Sequence, residues 1–171
     1  MYTRYIGPLG SVYETNGVVF IAVYTEPLRG AMGNVGGFDP LPWLESQLAK
    51  AGDKPVFVLT HTPDGEDFYE NEVHPGWPEP NRSAWRRALA RGNVKAILAG
   101  HYHRDELQQD ADGIPLHVGN AIANFWGRQG SFRIYTYADG RLSFRTVYLD
   151  DPPPEININP DGMMGPPTVV E

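Results

Sequence analysis

Three short apolar runs rich in β-branched residues recur along this chain, and the segments between them carry helical spacing. The runs are Val18-Val19-Phe20-Ile21-Ala22-Val23-Tyr24, Pro55-Val56-Phe57-Val58-Leu59-Thr60 and Val94-Lys95-Ala96-Ile97-Leu98-Ala99. Runs this apolar, without polar alternation, belong to strands covered on both faces. Between the first two, Pro42-Trp43-Leu44-Glu45-Ser46-Gln47-Leu48-Ala49-Lys50 spaces its apolar residues as a helix does, and Gly52 is a natural stop. Between the second and third, Asn81 is placed to cap a helix from Arg82 to Arg91, with Trp85, Ala88 and Leu89 on one side and Gly92 at its end. Leu107 to Val118 reads as a hairpin turning near Asp112-Gly113, and Ser131 to Ala138 and Arg141 to Leu149 alternate around Asp139-Gly140 as a second hairpin. The stretch from His61 to Pro80 has four prolines and no period, so a long loop is expected there. The order predicts an α/β fold with α+β-like character, a mixed sheet with its helices on one face.

Length and composition narrow the function. A chain of 171 residues suits one domain, read here as 1–150, followed by a Pro-rich acidic tail at 151–171. The absence of cysteine excludes a disulfide scaffold, a thiolate zinc site and a cysteine nucleophile. No apolar run approaches the roughly 20 residues of a membrane span, and Met1 is not followed by a basic and then apolar leader. The expectation is a cytoplasmic protein without a membrane partner, although a processed secreted form reads the same way. The formal charge is -7, and the segment from Asp150 onward holds five acids (Asp150, Asp151, Glu155, Asp161, Glu171) and no Lys or Arg. The body is left close to charge balance. That gives no broad basic field for nucleic acid.

The five histidines are His61, His74, His101, His103 and His117. His61 stands at the carboxyl end of the second apolar run, and His101 and His103 stand at the carboxyl end of the third. Open α/β sheets bind ligands beyond the carboxyl ends of their strands. Neutral imidazole is the commonest protein metal ligand, and His-x-His on extended chain points both rings the same way. His61, His101 and His103 are therefore candidate metal ligands, against the alternative of surface or hydrogen-bonded histidines. His74 lies in the Pro-rich stretch, where solvation is the plain reading. Beside a metal it could serve as general acid. His117 reads as a strand residue.

The segments Phe57-Val58-Leu59-Thr60-His61-Thr62-Pro63 and Val94-Lys95-Ala96-Ile97-Leu98-Ala99-Gly100-His101-Tyr102-His103 together resemble the calcineurin-like metallophosphoesterase superfamily. Gly7-Pro8, Trp43-Leu44-Glu45-Ser46-Gln47-Leu48 and Gly119-Asn120-Ala121 agree with it. The resemblance runs from about Tyr5 to Leu149 and covers only the carboxyl-terminal half of a family member. It implies half of a four-layer α/β/β/α sandwich. It also implies a phosphoesterase that cleaves phosphate mono- or diesters with a metal-activated water, using one or two Zn, Mn or Fe ions. By matching positions, His61 and His101 resemble ligands of one ion and His103 a ligand of the other. The upstream Asp-x-His, Gly-Asp and Gly-Asn-His motifs that would supply the remaining ligands are absent. Carboxylates would have to come from Glu26, Asp64, Asp67 or Asp105, each of which reads singly as a solvated loop acid. A single Zn²⁺ with water in its open position needs fewer additions.

Half a sandwich leaves one sheet face wet. Exposing a row of side chains worth roughly 1.5–3 kcal/mol each on burial exceeds a domain's usual margin. A homodimer or higher oligomer covering that face is therefore expected. The phosphoester reading stands beside an alternative, a non-catalytic metal- or partner-binding relic of the same fold. Trp77, Trp85, Trp126, Phe125 and Tyr102 could wall a substrate's organic group or simply be core. Arg104 and Arg128 could clamp phosphate or lie on the surface.

Overall fold

The structure, a computed structural model, describes residues 2–30, 33, 35–69, 72–124 and 128–149. Phe125, Trp126 and the tail at 151–171 lie outside the described residues. The chain divides into two compact units, one of residues 1–102 with 106–118 and the other of 103–105 with 119 onward.

The first unit contains α1 (Tyr2–Tyr5), β1 (Gly10–Thr15), β2 (Val18–Val23), α2 (Glu26–Arg29), α3 (Pro40–Ala51), β3 (Val56–Leu59), β4 (Asp67–Tyr69), β5 (Glu72–His74), α4 (Asn81–Leu89), β6 (Val94–Ala99), β7 (Glu106–Gln109) and β8 (Pro115–Val118). Its main sheet has six strands in the order β1-β2-β3-β6-β8-β7. The inner pairs β2/β3, β3/β6 and β6/β8 are parallel, and the two edge pairs are antiparallel. The helical spacing noted in the sequence supplies the crossovers for β2/β3 and β3/β6, whereas β6 reaches β8 through the edge strand β7. In α3, Pro40 takes the first turn, the Asp39 carboxylate accepts from the Leu41 amide at 3.2 Å, and Gly52 ends the helix.

One face of the sheet carries Val19, Ile21, Val23, Val56, Val58, Ile97, Leu116 and Val118, all buried in a single core with Leu44 and Leu48 of α3 and Trp85 and Leu89 of α4. The opposite face carries Phe20 stacked on Phe57 at 5.5 Å between ring centres, with Tyr13 at 6.5 Å from Phe20. The near-continuous apolar runs follow from this, since the central strands have an apolar side chain to place on each face.

Three local expectations change. The edge strand β1 carries no run of core residues, so no apolar pattern betrays it; it pairs with β2 through a two-residue turn at Asn16-Gly17, with φ of 49° and 74°. The segment from His61 to Pro80 is not all loop, because β4 and β5 form a short hairpin with Asp67 opposite His74. Three-residue strands are too short to show a period. Asn81 is not a cap either. Pro80 holds that position, and the Asn81 amide donates to the Leu28 carbonyl at 2.9 Å, tying α4 to α2.

The second unit is built on β9 (Ser131–Ala138) and β10 (Arg141–Tyr148), paired antiparallel along their full length. Asp139-Gly140 makes the turn with φ of 50° and 75°, as expected for a two-residue hairpin. Arg133 pairs with Asp105 at 2.8 Å and lies 4.6 Å over the Phe144 ring. Among the described residues no helix is long and apolar enough to cross a membrane.

Candidate functional site

The site is set by backbone before any side chain is considered. At the end of β3 the Thr60 amide donates to the Leu98 carbonyl at 3.0 Å, extending the parallel ladder by one step. The Gly100 amide then donates to the His61 carbonyl at 3.0 Å, locking the chain beyond β6 to the chain beyond β3. The Tyr102 amide donates to the Gly100 carbonyl at 2.9 Å, which closes a three-residue turn about His101. His101 has φ of 75°, the strained hand of that turn for a residue with a side chain. The strain turns the chain sharply where the strand stops.

This backbone brings His61 Nε2 and His101 Nδ1 to 3.3 Å, with the rings nearly perpendicular and 5.2 Å apart. His74, at the end of β5, has its ring 5.8 Å from that of His101 and stacks on Tyr102 at 5.4 Å. Tyr102 is buried, and its hydroxyl donates to the Gly65 carbonyl at 2.7 Å. Burial, above all, pushes that hydroxyl's pKa well up, so it stays a donor. The pKa of His101 is lowered, first by burial and then by Arg29, His61 and His74, with Glu26 opposing. His101 is thus a neutral imidazole near pH 7, the form that ligates or accepts a proton.

The short helix α2 begins directly after β2 and adds Glu26 and Arg29. Glu26 accepts from the Thr62 hydroxyl at 2.7 Å and pairs with Arg29 at 3.3 Å. Arg29, Thr62, His74 and His101 border a pocket of about 120 Å³. Behind it, Asp64 is 1% exposed and receives both Nε and Nη2 of Arg86. The Asp64 carbonyl also accepts from the Trp77 amide at 3.2 Å and from Arg82 Nε at 3.0 Å. These bonds hold the loop that presents His61 and Thr62.

Of the residues singled out in the sequence, His61, His101 and His74 come together. His103 lies with the second unit, half-buried, with φ of 51°. The premise that His101 and His103 share an extended strand does not hold, because both residues adopt left-handed backbone in a bend beyond β6. Asp64 and Asp105 are not solvated loop acids but paired with Arg86 and Arg133 respectively. The Asp67 side chain lies outside the described residues. Trp77, Trp85 and Tyr102 are core. His117 is buried in β8, as a strand residue. Arg104 and Arg128 are half-buried in the second unit. Sequence reading missed Arg29 and Thr62. The available signal was an acid and a base one helical turn apart, Glu26 and Arg29, immediately after a strand end.

The 3.3 Å between the His61 and His101 nitrogens equals about the 3.3 Å separating two ligands that each stand 2.0–2.1 Å from one tetrahedral ion. The pair therefore fits two corners of a single ion. Among the described residues no three His, Asp or Glu side chains stand close enough together to hold a metal, so this pair would supply two ligands and no third.

No protein-family model matches the chain, and no curated protein sequence does. Among solved structures the chain is similar to a dimetal phosphatase from Danio rerio, at 14% identity and a TM-score of 0.52, over 81% of this chain and 60% of that one. It is also similar to GAP50, the anchor in the inner membrane complex of Plasmodium, at 13% identity and a TM-score of 0.45, over 91% and 64% of the two chains. A third similarity is to Vps29 complexed with Zn²⁺ from Entamoeba histolytica, at 13% identity and a TM-score of 0.27, over 67% and 92%. The chain spans less than two thirds of the length of the first two. At such identity the likeness to the phosphatase is one of fold, the calcineurin-like phosphoesterase fold with its mixed sheet and packed helices.

Proposed function

We propose that this chain is a metal-dependent hydrolase of phosphate mono- or diesters, working at the strand ends that carry His61, His101 and His74. The observation that carries the reading is the 3.3 Å approach of His61 Nε2 to His101 Nδ1 on that fold. His61 and His101 would hold one transition ion, Zn, Mn or Fe, and such an ion supplies Lewis acidity and an acidified water. The remaining donors would come from outside this cluster, from a second copy of the chain. The chain's own residues do the rest. Burial keeps His101 neutral and so able to ligate. His74 stacks on the buried Tyr102 ring, which orients it to protonate the leaving oxygen.

The test pairs metal analysis with hydrolysis of a chromogenic phosphodiester and phosphomonoester. His61→Ala and His101→Ala should each lose bound metal and at least 100-fold in kcat/KM. A chelator should abolish turnover, and Zn²⁺ or Mn²⁺ should restore it. Full activity in both alanine variants would exclude the proposal. A homodimer completes the reading by covering sheet surface and adding donors; a monodisperse monomer in sedimentation equilibrium removes that part.

A second reading is a metal- or partner-binding relic that does not turn over. It is favoured by the shortage of donors among the described residues. Metal bound at His61 and His101 without hydrolysis of any phosphoester tried would select it.

A further inference from the structure

The two neighbouring rings of the site line two different cavities, His101 one and His61 the other. On the His101 side lies the pocket of about 120 Å³ bordered by Arg29, Thr62 and His74. It has about four times the ~30 Å³ that one water occupies in the liquid, room for a tetrahedral oxyanion and little more. On the His61 side lies a groove of about 690 Å³ at the carboxyl ends of β2 and β3, lined mainly by apolar side chains, Leu9, Ala22, Val23, Val35 and Leu59, with Ser11, Tyr24 and Thr60 among them. That volume falls within the range of small-molecule sites.

We infer that the ligand is a phosphate ester of an apolar alcohol, its phosphate seated against Arg29, Thr62 and His74 and its hydrocarbon lying in the groove beside His61. This rests on the phosphoester reading above and gives it a substrate class. Charge and size select the phosphate end. Arg29 is the cation of the small pocket. Glu26 engages its Nη1 at 3.3 Å and takes the Thr62 hydroxyl proton, so Thr62 lines the pocket without donating to the phosphate, and Arg29 and His74 supply the donors. Guanidinium N–H groups and an imidazole N–H suit phosphate oxygens. Continuity selects the other end. His61 lines the groove and His101 lines the pocket, and their nitrogens are 3.3 Å apart, so an ester oxygen lying across the pair has phosphate on one side and carbon chain on the other.

Binding of methyl, butyl and octyl phosphate to the full chain, measured by titration calorimetry with a chelator present, tests the inference without reading turnover. Affinity should rise by two- to fourfold per methylene from methyl toward octyl. Arg29→Ala should weaken all three ligands alike, by about tenfold or more. Ala22→Leu, and Ser11→Phe at an exposed position lining the same groove, should reduce the octyl advantage to under tenfold while leaving methyl phosphate unchanged. Equal affinity across the series, or an undiminished octyl advantage in both groove variants, overturns the groove assignment. Unaltered methyl phosphate binding in Arg29→Ala overturns the pocket assignment. Failure of the hydrolase reading gives a different pattern: the chain-length series is intact and no ester is cleaved.

Discussion

Replacing Arg86 by methionine isolates the contact that presents the His61 loop. Asp64 is 1% exposed, and the Arg86 side chain is 11% exposed. Methionine keeps the aliphatic stem of Arg86 and removes its bonds to Asp64, Asp110, Asp112 and the Ile114 carbonyl. Asp110 and Asp112 keep contact with water, whereas the Asp64 carboxylate is left buried without its principal partner. Breaking a buried pair from one side costs about 3–5 kcal/mol. The pH dependence identifies the cause. Burial raises the Asp64 pKa above its ordinary value, and Arg86, followed by Arg82, pulls it back. With Arg86 gone the carboxyl is raised further, so the folded state binds its proton more tightly than the unfolded state. Such a group contributes stability below its unfolded pKa and loses it as pH rises through its folded pKa. Since the wild-type carboxyl is itself raised, the deficit of the variant should deepen by up to about 1.4 kcal/mol per pH unit only from the wild-type folded pKa up to the higher folded pKa of the variant. Urea unfolding at pH 4.5, 5.5, 6.5 and 7.5 measures it, with a full deficit of about 3–5 kcal/mol at the top of the series. Adding Asp64→Asn should abolish the pH slope. A deficit under about 1 kcal/mol at pH 7.5, or one constant across the series, refutes the reasoning.

Other outcomes follow from the same loop. Gly76 has φ of 70°, and a Cβ there would meet the Asp64 carbonyl oxygen at 2.6 Å and that of Gly65 at 2.7 Å. Gly76→Ala should therefore cost about 1–2 kcal/mol for the left-handed backbone alone, more for the contact, and should lower phosphoester turnover by shifting the loop. An unchanged melting temperature would contradict it. Tyr102→Phe leaves the Gly65 carbonyl without its 2.7 Å donor, so a loss of about 1–3 kcal/mol is expected, seen as a lower denaturation midpoint at constant slope. At Gly10 an added Cβ would lie 2.5 Å from the Trp43 ring. Gly10→Ala should destabilise by about 1–3 kcal/mol in the same assay, and a neutral result would show that Trp43 moves aside freely.

What the sequence reveals and conceals here divides along physical lines. The strands of the parallel core were legible because Val19, Ile21, Val56, Val58 and Ile97 must be apolar to pack against α3 and α4, and they must be contiguous with Phe20 and Phe57, which face the other way. The hairpin turn at Asp139-Gly140 was legible because two successive positive φ values demand such residues. His61 and His101 were legible as neighbours because parallel strands joined through a helix deliver their carboxyl ends to the same edge. The rest of the site lacks a local signature. Arg29 and Thr62 belong to the pocket only because α2 folds back beside the His61 loop, and Glu26 joins them across 36 residues of sequence. Asp64 looks in sequence like any loop acid, and its burial is visible only once Arg86, 22 residues away, closes on it. His74 reaches His101 through a hairpin of three-residue strands that no periodicity can show. Position along one strand could be read directly, whereas pairing between loops could not. The chemistry of this site is assembled mostly from the second kind of contact, so substitutions at Arg29, Asp64 and Arg86 discriminate between the proposals above more sharply than substitutions in the legible core.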